Sequence, residues 1–102
     1  MPNPSKPNER VLQKTLDKLE GLTFEEMGNL DVQKEVVKRI ESELLSVCSD
    51  LEIEEVAPAD IFMEEGWATD IVFRCNGEVY VATFAIEEKK KFVVSIGEVE
   101  KL

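Results

Sequence analysis

The chain contains no histidine, which removes the side chain most often used as a general base near neutral pH and the commonest transition-metal ligand. Its two cysteines, Cys48 and Cys75, form no CxxC and no zinc-like spacing. In a chain large enough to build a core without staples, both are expected to be reduced and packed, a disulfide between them being the alternative. Glycine-rich phosphate loops are missing, as is any GxSxG nucleophile turn. No apolar run approaches the ~18 residues of a membrane span, and no signal-peptide-like apolar stretch stands near Met1, so a cytoplasmic location away from membranes is expected. No cofactor or metal is implied by any motif.

Positive charge is also scarce. Twelve Lys and Arg face twenty-two Asp and Glu, a net charge of −10. The imbalance is concentrated between Asp50 and Asp70, where eight acids stand without one base. Such a field repels phosphate backbones and argues against direct nucleic-acid binding. It remains compatible with a basic protein partner, or with mimicry of nucleic-acid charge.

What is present is periodicity. Length permits one domain. Residues 1–8 hold three prolines and no apolar period, and are expected to be a disordered tail ahead of a single domain over 9–102. Asn8 can cap a first helix whose apolar face is Leu12, Leu16 and Leu19, ending at Gly21. Thr23-Phe24-Glu25-Glu26 has the form of a capping box opening a short turn that ends at Gly28. Asp31 can cap a longer helix over Val32 to Ser49, with Val36, Ile40, Leu44, Val47, Cys48 and Leu51 along one stripe.

From Leu51 the period becomes two, which predicts a strand to about Val56, stopped by Pro58. Pro58 to Glu65 then reads as one or two helical turns or an irregular loop. Asn76-Gly77 suits a two-residue hairpin loop with φ > 0 twice. That loop opposes Cys75 to Glu78, Phe73 to Tyr80, Ile71 to Ala82 and Thr69 to Phe84. One face then collects Ile71, Phe73, Cys75, Tyr80, Ala82, Phe84 and Ile86, nearly all apolar. A further turn near Glu88-Lys89-Lys90 returns the chain as Phe92 to Val99, with Ile86 opposite Phe92 and Phe84 opposite Val94. The predicted architecture is α+β: a two-layer sandwich of N-terminal helices on one face of a 3–4 stranded antiparallel meander.

Three groups of residues are candidates for function. Ile61, Phe62, Met63 and Trp67 are large apolar residues in an acidic connecting segment. They either cover an open edge of the core or anchor a partner. Val72, Val79, Val81, Val93 and Val99 fall on the reverse face of the sheet, where they reflect β-propensity or form a docking patch, including one for homodimerisation. Asp60, Glu64, Glu65 and Asp70 could hold Mg²⁺ or Ca²⁺, although solvated surface acids have the same composition. Cys48 and Cys75 lie on core faces in acidic surroundings, which disfavours a nucleophilic thiolate. The leading expectation is a non-enzymatic interaction protein of chaperone, adaptor, immunity or inhibitor type. The rival expectations are a small cation-dependent hydrolase and a nucleic-acid-mimicking inhibitor.

Overall fold

The computed structural model describes residues 9–25, 29–63, 66–88 and 90–102, with the backbone alone at 29–30 and 59–63. The expected tail over 1–8 lies outside them. Helix α1 (Glu9–Asp17) turns its every-third-and-fourth leucines inward, so that Leu12 and Leu16 are fully buried. The chain then turns at Gly21, whose φ of 82° suits glycine, and enters β1 (Thr23–Phe24). The capping-box expectation fails here. Thr23 and Phe24 pair with Val93 and Phe92 as a short edge strand, because two more backbone contacts hold the segment along the same partner: Gly21 donates to Val94 and Val94 donates to Leu22. The expected turn end at Gly28 lies outside the described residues.

Helix α2 (Asn29–Leu45) begins earlier than the Asp31 cap suggests, with Asp31 in its first turn, and stops short of Ser49. Its Val32, Val36, Ile40 and Leu44 are buried along one stripe. Four long strands follow: β2 (Glu52–Met63), β3 (Gly66–Cys75), β4 (Glu78–Glu88) and β5 (Phe92–Lys101). Every pairing is antiparallel, and the sheet has five strands in the order β1-β5-β4-β3-β2. The fold is therefore α+β as expected, with five strands in place of three or four.

The Asn76-Gly77 turn takes φ values of 53° and 79°, and the four predicted cross-strand pairs from Cys75–Glu78 to Thr69–Phe84 are all formed. Both helices and the inner face of the sheet share one apolar core around Phe73, Phe84, Ile71 and Ile86. Phe73 stacks on Tyr80 with ring centroids 5.6 Å apart.

Three departures from the expected sheet have local causes. Pro58 does not end β2; it sits opposite Thr69 within a strand that runs on to Met63. β2 is the outermost strand, where a missing N–H breaks no ladder bond on the free side. A register irregularity between Pro58 and Phe62 absorbs the remaining mismatch. Gly66 then opens β3 with φ 156°, and a Cβ there would lie 2.1 Å from the Ile86 carbonyl oxygen. At the other hairpin Ile86 opposes Val94 and Phe84 opposes Ile96, a two-residue shift from the expected register that keeps the same face inward. Finally, a bulge places Gly97 and Glu98 opposite Thr83, so that Val99 faces Ala82 and is buried. Val99 belongs to the core, not to the reverse face, because one extra residue inverts every side chain beyond it.

The cysteines also differ from expectation. Cys48 lies in the turn after α2, Cys75 at the end of β3, and the two form a disulfide with Cα atoms 5.5 Å apart, within the range such a bond requires. Both are completely buried. The adjacent Asp50 carboxylate accepts the Asn76 backbone N–H at 2.9 Å, so the hairpin tip is tied twice to the end of the helical half.

Candidate interaction surfaces

Because both helices pack on one face of the sheet, its other face carries no second layer among the described residues. The pairing places Val72 opposite Val81, Arg74 opposite Val79, and Glu87 opposite Val93. Val72, Val79, Val81 and Val93 are each partly exposed and none contributes to the core. Val72, Val79 and Val81 adjoin one another, and Val93 lies about 20 Å further along the same face, beyond Thr83, Ala85 and Ser95. Branched side chains on this face satisfy strand propensity and leave apolar area facing water.

Charge on this face is one-sided. Glu52 lies opposite Arg74, Glu55 opposite Val72, Asp70 opposite Thr83 and Glu100 opposite Val81. Together with Glu87 these are, among the described residues, five carboxylates against one guanidinium. That guanidinium is already engaged, since Arg74 Nη2 lies 3.0 Å from Glu54 Oε1 and its Nε donates to the same oxygen. Asp70 accepts the Thr83 hydroxyl at 2.6 Å.

The other sequence candidates are distributed differently. Ile61, Phe62 and Met63 belong to β2 and not to a connecting loop, with Phe62 paired to Trp67 and Met63 to Gly66; their side chains lie outside the described residues. Trp67 shares the face of Ile86, opposite which it sits, and packs against the core. Its indole N–H donates to Gln33 Oε1 on α2 at 3.0 Å, and its ring meets Phe92 edge-on at 6.3 Å. The structure thus seats Trp67 under α2, on the opposite side of the sheet from the four valines. Asp60, Glu64 and Glu65 have no described side chains. Among the described residues no group of three His, Cys, Asp or Glu is placed to hold a metal ion.

Many described carboxylates serve as structural acceptors. Glu20 takes the Ile96 N–H, Asp17 takes the Gln13 amide, and Glu78 pairs with Lys101 at 2.9 Å. With its sulfur bonded to Cys75, Cys48 offers no thiolate, and the reverse holds equally. Two groups have displaced proton affinities. Burial, reinforced by Glu78, raises the Tyr80 phenol above its ordinary range. The hydrogen bond to Glu78 raises the Lys101 ammonium.

Sequence reasoning missed a concave feature. A cleft of about 400 Å³ lies between α2 and the outer strand, lined by Gln33, Lys34, Val37, Lys38 and Val56. No single segment of sequence could have revealed it, since its walls are twenty residues apart and meet only through the fold. No helix among the described residues is long and apolar enough to cross a membrane. No protein-family model, curated sequence or solved structure matches the chain.

Proposed function

We propose that the protein is a non-enzymatic interaction module whose reverse sheet face docks a basic protein partner. The observation that carries this reading is the one-sided sheet: all described helical packing lies on one face, while Val72, Val79, Val81 and Val93 remain partly open on the other. An apolar centre bounded by charge is the usual anatomy of a docking patch. Glu52, Glu55, Asp70, Glu87 and Glu100 on the same face select a partner rimmed by Lys or Arg and speed its approach. They also work against stacking of a second copy on this face, which would bring like charges together in a chain of net charge −10. The Cys48–Cys75 disulfide favours an oxidising setting over the cytoplasmic one, since such bonds persist in oxidising compartments.

The test compares the wild-type chain with Val79→Ser/Val81→Ser, which removes apolar area without changing charge. Affinity capture followed by cross-linking is expected to give a basic partner cross-linked to β3 or β4. Its capture should fall about tenfold in the double variant and weaken with added salt. Undiminished capture by the variant defeats the reading. A wild-type chain that sediments as a dimer, dissolved by the same substitutions, would replace the basic partner with a second copy.

A further inference from the structure

We propose that the cleft between α2 and the free edge of β2 binds an extended peptide by strand addition, the peptide carrying an apolar residue and an acidic residue two positions apart. This site is independent of the valine face and lies on the opposite side of the sheet.

Among the described residues β2 closes the strand order and is paired to β3 alone, so the backbone groups on its outer side, apart from the N–H that Pro58 lacks, are available to a further strand. The opposite edge is not. There β1 takes part of β5, and side chains from α1 and the turn after it take the Ile96 N–H, the Gly97 carbonyl and the Val99 N–H. Between its two irregularities β2 pairs regularly over Glu55 to Pro58, a stretch of roughly 13 Å at strand rise. The irregularities at either end restrict an added strand to this short run.

The cleft above that run chooses the side chains. Val56 lies opposite the buried Ile71 and therefore on the helix side, yet it is 39% exposed. It faces Val37 across the cleft. Alternate residues of an added strand project to this side, so one apolar residue can sit between the two valines. The next residue on the same side lies about 6.6 Å further along. Lys34 and Lys38, one helical turn apart, are exposed and line the same cleft. Neither forms an ion pair among the described residues. Of the described acids beside Val56, Glu55 shares the face of Val72 and Glu54 is paired with Arg74. The charged residues among the described lining of the cleft are thus both cationic, complementary to a carboxylate carried on an extended apolar segment. Gln33 forms part of the same wall and holds the indole of Trp67, the chain's one tryptophan. Occupancy of the cleft therefore has an intrinsic optical reporter.

The test selects phage-displayed random heptapeptides on the full chain and titrates the synthesised winners by Trp67 fluorescence. Enrichment of an apolar residue two positions from Asp or Glu is expected. Affinity should fall about tenfold in Lys34→Glu/Lys38→Glu and by a smaller factor in Lys34→Gln/Lys38→Gln, the milder pair guarding against a fold defect. Lys90→Glu/Lys91→Glu, with the same change in net charge at a distant hairpin tip, should bind as wild type. Absence of any enriched pattern overturns the proposal. So does binding that survives both changes at Lys34 and Lys38, or that falls equally in the Lys90 and Lys91 variant.

Discussion

Gln13 does for β5 what a neighbouring strand would do. Its side-chain amide donates to the Gly97 carbonyl at 2.9 Å and accepts the Val99 N–H at 2.7 Å, reproducing the donor and acceptor of a peptide group at the bulge. Exchange for leucine keeps the bulk and leaves both backbone groups without that partner. We expect a loss of about 1–3 kcal/mol in urea unfolding, together with faster hydrogen exchange at Val99. Gln13→Glu should recover part of it, because a carboxylate still accepts the N–H. Nothing in the sequence marked Gln13, a polar residue on an amphipathic helix. Its role exists only because the bulge leaves peptide groups to satisfy, and Gly97 was the single local hint of that bulge.

At the scale of elements, the disulfide between the turn after α2 and the end of β3 constrains the unfolded chain. With a sequence separation of 27, loop closure is worth about 3.5 kcal/mol. Reduction, or Cys48→Ala/Cys75→Ala, should lower the midpoint of thermal unfolding by more than about 10 °C while leaving far-ultraviolet dichroism native at low temperature. Equal melting curves with and without reductant would mean that the bond contributes nothing. The hairpin that carries Cys75 was readable in advance, since Asn76-Gly77 dictates its turn and the turn dictates register. β2 was only half readable. Pro58 looks like a terminator until the strand is known to lie at the sheet's margin, and strand order is a property of the assembled fold. β1 was hidden for a related reason: two residues carry no period, and Thr23 to Glu26 matched a helix start better than a strand. The four open valines were visible from alternation alone, whereas Val99 was misplaced by the bulge and the α2–β2 cleft was invisible.

For the whole molecule, two linked groups set the alkaline limit. Tyr80 is buried and its phenol raised by that burial and by Glu78, while Lys101 is raised by its bond to Glu78. In each case the folded state holds its proton more tightly than the unfolded chain. The stability so gained is complete below the unfolded values near pH 10 and is lost as pH climbs through the raised folded values. Urea midpoints should therefore show no pH dependence from this pair between pH 7 and 9, where its contribution is fully present, and a decline above about pH 10. Tyr80→Phe should move the decline to higher pH. A midpoint that falls at the same pH in that variant would assign the alkaline loss to other groups. Carboxylate repulsion is a separate matter: with a net charge of −10, added salt should raise stability at neutral pH.

The unequal treatment of the two sheet margins has a consequence for assembly. β5 is sealed by β1 and by Gln13 and Glu20, whereas β2 has no partner on its outer side among the described residues. A sheet with two bare margins can add copies of itself without limit and grow into a fibre. A sheet with one has a valence of one. Two chains meeting margin to margin through β2 would close a two-fold pair with nothing left to extend. Unsealing β5, as Gln13→Leu partly does, would raise that valence to two, so self-limited pairing and runaway polymerisation differ in this protein by the hydrogen bonds of a few side chains.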